Sequence, residues 1–239
     1  MPTRGQPIAE GTYAITRKET AIGRETWQLA KMAHSGLLFT STAEWTEAPP
    51  LRWNVKYEVT THWISEALSV HLNTDGEERA SEQHYEGTRY ISTTRPVGPG
   101  EETTRILELS SRRPIEFPSP IFTAVTLVGL NLLVGQSQPV DAVRVKMPTL
   151  EPSLVKLVYT CLKEEKIEVP AGSFSAWHYV RTEIHEAGAG QETQTSDTES
   201  KPVSQETHFW ADRHGIVLLE QRPDGDTVQL TRYRRMEHR

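Results

Sequence analysis

Leu51-Arg52-Trp53-Asn54-Val55-Lys56-Tyr57-Glu58-Val59-Thr60-Thr61-His62-Trp63 alternates with a period of two from end to end. Leu51, Trp53, Val55, Tyr57, Val59, Thr61 and Trp63 fall on one face, with Arg52, Asn54, Lys56, Glu58, Thr60 and His62 on the other. One apolar and one solvated face is the signature of an antiparallel strand, because parallel strands are normally covered on both sides. Thirteen extended residues would reach roughly 43 Å at ~3.3 Å each, beyond the usual strand length, so this strand is expected to bend strongly around a core.

The same alternation continues on both sides. Upstream, Gly11 to Thr20 and Arg24 to Ala33 form an opening hairpin joined around Ala21-Ile22-Gly23, followed by a strand from Leu37 to Ala43. Downstream, Leu68, Val70 and Leu72 lead to a turn at Asn73-Thr74-Asp75-Gly76, and strands follow at Glu78 to Tyr85, Thr88 to Thr94 and Thr104 to Leu109. The pattern then changes. Ser119 and Pro120 make an N-cap with proline at the first helical position, Ile121 to Val134 is apolar almost all round, and Gly135 suits the position after the helix. Beyond it, Leu154 to Leu162 is apolar on both faces, which predicts a place in the middle of the sheet or beneath the helix. Strands at Thr207 to Ala211, Ile216 to Gln221 and Thr227 to Tyr233 close the chain. The expected fold is mainly β: a strongly curved antiparallel sheet, an open barrel or spiral β-roll, wrapping one substantial helix near 120–134. It is expected to be a single β-rich domain over residues 1–239, with a mobile loop inserted at 187–203, where apolar periodicity is lost.

The net charge of −6 and pI near 5.9 exclude nucleic-acid binding as the main function, since neutralising phosphates needs clustered Lys and Arg. One local exception is Arg232, Arg234, Arg235 and Arg239. These read as a solvated last strand, with contact to a phosphate or acidic headgroup as the alternative. The lone Cys161 excludes an internal disulfide and reads as a small buried hydrophobe. The first twenty residues hold no continuous apolar run, giving the expectation of a cytoplasmic chain. The run in the predicted helix is about 15 residues, short of the ~20 that cross a bilayer, so no transmembrane segment is expected.

Nine histidines invite a metal site, but no His-x-His or His-Glu-x-x-His spacing occurs. His178 and His185 face opposite sides of a strand, and a turn separates His208 from His214. There is no Gly-x-Ser-x-Gly elbow and no phosphate-binding glycine loop. No metal, cofactor or catalytic residue is therefore assigned. What remains is aromatic: Trp53, Tyr57 and Trp63 on one strand face, Phe174 and Phe209 on two others, and His178 sharing the apolar face of Phe174 and Val180. These six are the candidate ligand-binding residues. The face of Phe174 and His178 is expected to meet the interior, because that of Trp177 and Tyr179 soon reaches Arg181 and Glu183.

Three functions fit. The first is a non-catalytic binding protein holding a lipid, glycolipid or other apolar small molecule in the concavity of the sheet. The second is a cofactor-independent cyclase or isomerase acting on an apolar substrate, with His178 or Tyr179 moving the proton. The third is an interaction scaffold whose core is filled by its own side chains.

The order of elements, together with Gly11-Thr12-Tyr13, Leu132-Leu133-Val134-Gly135 and Glu168-Val169-Pro170-Ala171-Gly172-Ser173-Phe174, resembles the bacterial lipoprotein-carrier-like families. In particular it resembles an uncharacterised branch marked by an apolar residue, Pro, Ala, Gly, any residue and Phe. The layout is also similar to that of spiral β-roll proteins assigned glycolipid binding. The resemblance implies an open curved sheet wrapping a helix and an apolar ligand, and it carries over no catalytic residue. The chain departs from it in two ways: no signal peptide or lipidation cysteine lies near the N-terminus, and the 187–203 loop is an addition.

Overall fold

The computed structural model describes residues 5–33, 36–47, 49–184 and 206–236, so the loop expected at 187–203 lies outside the described residues. Eight strands come first: β1 (Gln6–Arg17), β2 (Thr20–Lys31), β3 (Gly36–Trp45), β4 (Leu51–Thr60), β5 (Ser65–Thr74), β6 (Glu77–Glu86), β7 (Arg89–Pro96) and β8 (Thr103–Glu108). A short β9 (Ile115–Glu116) and the helix α1 (Pro120–Leu130) lead to a second series. That series is β10 (Ser137–Val145), β11 (Pro152–Val169), β12 (Gly172–Glu183), β13 (Glu206–Ala211), β14 (Val217–Gln221) and β15 (Asp226–Arg235). All fifteen strands form one sheet in the order β8-β7-β6-β5-β4-β3-β2-β1-β15-β14-β13-β12-β11-β10-β9. Two meanders thus meet where β1 pairs antiparallel with β15, and among the described strands only β9 and β10 run parallel.

The connection between the meanders carries α1 into the concave side. Among the described residues the outer edges share no ladder but approach through side chains. Tyr85 Oη donates to Arg113 O at 2.8 Å, Gln83 Nε2 donates to Leu150 O at 3.1 Å, and Arg105 pairs with Glu151 at 3.4 Å. This is the expected class: a large, curved, open antiparallel sheet around one helix.

Several boundaries differ from the expectation. The opening hairpin turns at Lys18 and Glu19, with φ of 48° and 68°, the left-handed pair of a two-residue turn matching strand twist. Gly23 serves close strand packing instead, since a Cβ there would lie 2.7 Å from Glu44 O. β4 stops at Thr60, three residues short of Trp63. Thr60 Oγ1 accepts the backbone N–H groups of His62 and Ile64, both at 3.1 Å, and Trp63 N–H donates to Thr60 O at 3.0 Å. This local side-chain pairing competes with the ladder and ends it. α1 stops at Leu130 because Asn131 takes the left-handed conformation, φ 47°, and returns its N–H to Leu127 O. Past that cap Leu132 is still buried in the core, and the apolar run then leaves it, with Leu133 65% and Val134 53% exposed. Leu154 to Leu162 is one-faced: Leu157, Tyr159 and Cys161 are buried near α1, while Leu154 and Leu162 are exposed.

The concave side is filled by protein. α1 is buried from Pro120 to Leu127, as a helix apolar all round must be. Phe122 stacks on Tyr57 with ring centroids 4.3 Å apart and lies 5.2 Å from Phe117, which meets Trp53 edge-on at 5.1 Å. On the helix's other side, Ala124 and Leu127 pack with Tyr159, Tyr179 and Phe209. Tyr13 crosses the interior to donate its hydroxyl to Val217 O at 2.9 Å. Gly11 makes room beside Tyr13: a Cβ there would stand 2.6 Å from the Trp27 indole, which is buried between Tyr13 and Tyr233. Gly11→Ala is therefore expected to destabilise the fold by about 1–3 kcal/mol through overpacking, read as a lower urea midpoint with an unchanged slope.

Candidate functional site

The six candidate residues do not converge. Trp53, Tyr57 and Phe209 are buried core residues, 1%, 0% and 0% exposed, the first two against the Phe117 and Phe122 side of α1 and the third against its Ala124 and Leu127 side. Phe174 packs at the margin of the first cluster. The face of β12 that meets α1 is that of Tyr179 and Arg181, the reverse of the expected one. His178 lies on the opposite face, stacked on Trp210 at 4.1 Å, 3.0 Å from His208 Nδ1 and 3.5 Å from Glu165. Burial, and then the neighbouring His208, hold its pKa below the usual histidine value. Tyr179 is hydrogen-bonded with Cys161, and burial pushes its pKa up to about 12. His178 and Tyr179 therefore occupy two environments. Among the described residues no group of three or more His, Cys, Asp or Glu could hold a metal ion.

Open clefts lie at the two ends of α1, and their chemistry differs. Near the N-terminus, a cleft of roughly 490 Å³ runs past Glu116, Ser119, Arg144, Arg181, Glu220 and Arg222. Its arginines are neutralised within the protein. Glu116 pairs with Arg144 and Arg181, both at 2.7 Å; Glu183 takes a second nitrogen of Arg144 at 2.8 Å; and Glu220 holds Arg222 at 2.6 Å. The first three pairs tie β9, β10 and β12 together, the fourth is local to the end of β14, and all leave these arginines little unmet demand for an anion. Behind it, Ser119 Oγ donates to Glu25 Oε1 at 2.7 Å while capping α1 by accepting from Ile121 N–H. Glu25 is wholly buried. Burial raises its pKa to about 7 against the lowering influence of Ser119, Ser41 and Arg222. Its second oxygen and the nearby Ser41 Oγ make no well-formed hydrogen bond.

At the C-terminal half of α1, Trp63 stands between two clefts. One, of roughly 460 Å³, passes Ile64, Val125, Gly129, Leu130 and Pro139. The other, of roughly 710 Å³, is walled by Ile8, Leu29, Trp63, Val128, Ile216 and Tyr233. Trp63 is half-buried against Phe39, 6.2 Å between rings, and its backbone φ is 61°. A bulky residue in the left-handed region costs of order 1–3 kcal/mol and persists only where its surroundings hold it there. The turn before β14 closes the second cleft. Asp212 Oδ1 accepts the N–H groups of His214 and Ile216 at 2.9 Å each. Gly215, at φ 78°, lies so close to α1 that a Cβ would stand 2.2 Å from Val128 Cγ2. That approach places Arg213 and His214 on the cleft. Sequence reasoning found Trp63 but not its neighbours, which come from both meanders.

No protein-family model matches the chain, and no curated protein matches it. Among solved structures, the fold is similar to that of a β-barrel-like protein of domain of unknown function DUF1849 from Brucella abortus. The identity is 10%, covering 98% of this chain and 100% of the other, with a TM-score of 0.62. It is also similar to a DUF1089 family protein from Pseudomonas aeruginosa, at 16% identity over 85% of this chain and 90% of that one, with a TM-score of 0.52. At these identities the likeness is one of fold: a β-barrel-like architecture.

Proposed function

We propose that this chain is a non-catalytic binding protein for an apolar or lipid-like small molecule, held at the Trp63 end of α1 and not in the sheet interior, which the helix and its aromatic neighbours fill. The observation that carries the reading is the roughly 710 Å³ cleft walled by Ile8, Leu29, Trp63, Val128, Ile216 and Tyr233. Its volume falls within the ~300–1,000 Å³ typical of small-molecule sites, which are mostly apolar and largely preformed. The strained backbone of Trp63 supports it, since strain of this kind gathers at ligand clamps. The resemblance of the Val169–Phe174 motif to lipoprotein-carrier-like proteins points to the same ligand class.

Titration with the neutral fluorophore N-phenyl-1-naphthylamine tests the proposal. Saturable enhancement is expected, and Trp63→Ala should weaken it at least about tenfold, or ~1.4 kcal/mol. Leu162→Ala, on an exposed position of β11, should leave it unchanged. No saturable signal, or equal affinity in Trp63→Ala, would contradict the reading.

A further inference from the structure

The apolar wall beside Trp63 ends in a rim of one charge sign. Lys31 closes β2 and Arg235 closes β15, and the sheet register sets them on either side of the start of β1, opposite Gln6 and Ala9 respectively. Arg213 comes from the turn that Gly215 seats on α1. All three line the cleft, and among the described residues none has a carboxylate within ion-pairing distance. Arg213 and Arg235 instead both direct N–H groups at His214 Nε2, Arg213 Nε from 3.1 Å. Burial, and then the adjacent Arg235, hold the His214 pKa below the usual value, so the imidazole stays neutral and two guanidinium groups share one neutral acceptor. Asp212, next to Arg213 in sequence, already accepts two backbone N–H groups. The partial negative charge at the C-terminus of α1, about half a unit, offsets little of the remainder.

The contrast with the other end of the helix is instructive. There, three arginines sit against Glu116, Glu183 and Glu220; here, three cations gather at the mouth of an apolar cleft in a chain whose net charge is −6. Resting on the proposed function above, we infer that the molecule bound beside Trp63 is a single-chain anionic amphiphile of the fatty-acid type. Its chain lies along Leu29, Trp63 and Val128. Its carboxylate is held by Arg213 and Arg235, whose planar forks suit bidentate recognition of such a group, with Lys31 adding a third charge. The arginine-rich last strand, legible in the sequence as a solvated strand or an acidic-headgroup contact, thereby supplies one wall of the headgroup site.

The test compares three probes with one chain length and different heads, sodium dodecanoate, 1-dodecanol and dodecyltrimethylammonium, each displacing N-phenyl-1-naphthylamine below its micellar concentration. The full chain is used, as wild type, as Arg213→Glu/Arg235→Glu, and as Arg213→Lys/Arg235→Lys. Both arginines are exposed, and far-UV circular dichroism confirms that the variants fold. Dodecanoate should bind the wild type at least tenfold more tightly than dodecanol, and dodecyltrimethylammonium should bind most weakly. Charge reversal should abolish the preference for dodecanoate while leaving dodecanol affinity unchanged, and the lysine pair should retain most of the preference. Equal binding of dodecanoate and dodecanol overturns the anionic-head assignment while sparing the apolar site. Failure of all three probes to bind overturns both.

Discussion

Phe122→Ala should lower the free energy of unfolding by about 3–5 kcal/mol, the range for truncating a buried aromatic when the cavity cannot collapse. Phe122 is 1% exposed and sits between Tyr57 and Phe117 at 4.3 and 5.2 Å. Those partners are themselves anchored: Tyr57 Oη lies 2.5 Å from Ser65 Oγ, and Phe117 meets Trp53. Neither ring can follow the missing one without breaking its own contacts. Part of the cost is also the docking of α1, whose low amphipathicity means that it folds by being surrounded and not by intrinsic propensity. Urea unfolding measures the effect. Leu133→Ala, on the exposed stretch beyond the helix cap, should change stability by less than about 0.5 kcal/mol. A loss below ~1 kcal/mol in Phe122→Ala would show that the helix is not what fills the sheet.

The second large effect is a pH dependence carried by Glu25. Its carboxyl titrates near the ordinary 4.5 in the unfolded chain and at about 7 in the folded one. Between those values the folded state holds a proton that the unfolded state has released, so stability falls as pH rises. Each unit costs about 1.4 kcal/mol, and the window of about 2.5 units sums to about 3.5 kcal/mol. The contribution is fully present below pH 4.5 and lost as pH rises through 7. Glu25→Gln keeps the shape and a hydrogen-bonding group for Ser119 but cannot ionise. The difference in unfolding free energy between pH 5 and pH 8 should therefore be smaller in the variant by about 3 kcal/mol, with the variant the more stable protein at pH 8. The same pH difference in both proteins would mean that the buried carboxyl is not retained as described.

Alternation made the sheet legible. The residues of β4 from Leu51 to Val59 read correctly because burial of one face leaves no freedom of register. What alternation could not convey was Trp63. Its position fits the period, yet Thr60 spends its hydroxyl on the backbone of His62 and Ile64, and the strand ends there. The helix start was legible in Ser119 and Pro120. Its end was not, because the apolar run beyond Leu130 looks like more helix, whereas Asn131 adopts a left-handed cap that few residues tolerate as readily. Glu25 had a signal available: it shares the parity of Trp27 and Leu29, an acid in phase with an apolar face, and such acids are buried only with partners. Of the proposed site's charges only Arg235 had a signal, in the arginine-rich tail. Lys31, Arg213 and Arg235 are separated by up to 204 positions; the pairing of β1 with both β2 and β15 brings Lys31 and Arg235 together, and the turn that Gly215 seats on α1 adds Arg213.

α1 fills the sheet, and the ligand proposed above binds outside it, beside Trp63. The chain's six tryptophans report on this directly, because each gives a separate indole N–H resonance. In a ¹⁵N-labelled sample titrated with sodium dodecanoate, the Trp63 indole signal should shift saturably, while that of Trp53, buried in the interior against Phe117, stays in place. A shift of Trp53 without Trp63, or no indole response at saturating dodecanoate, would contradict this placement.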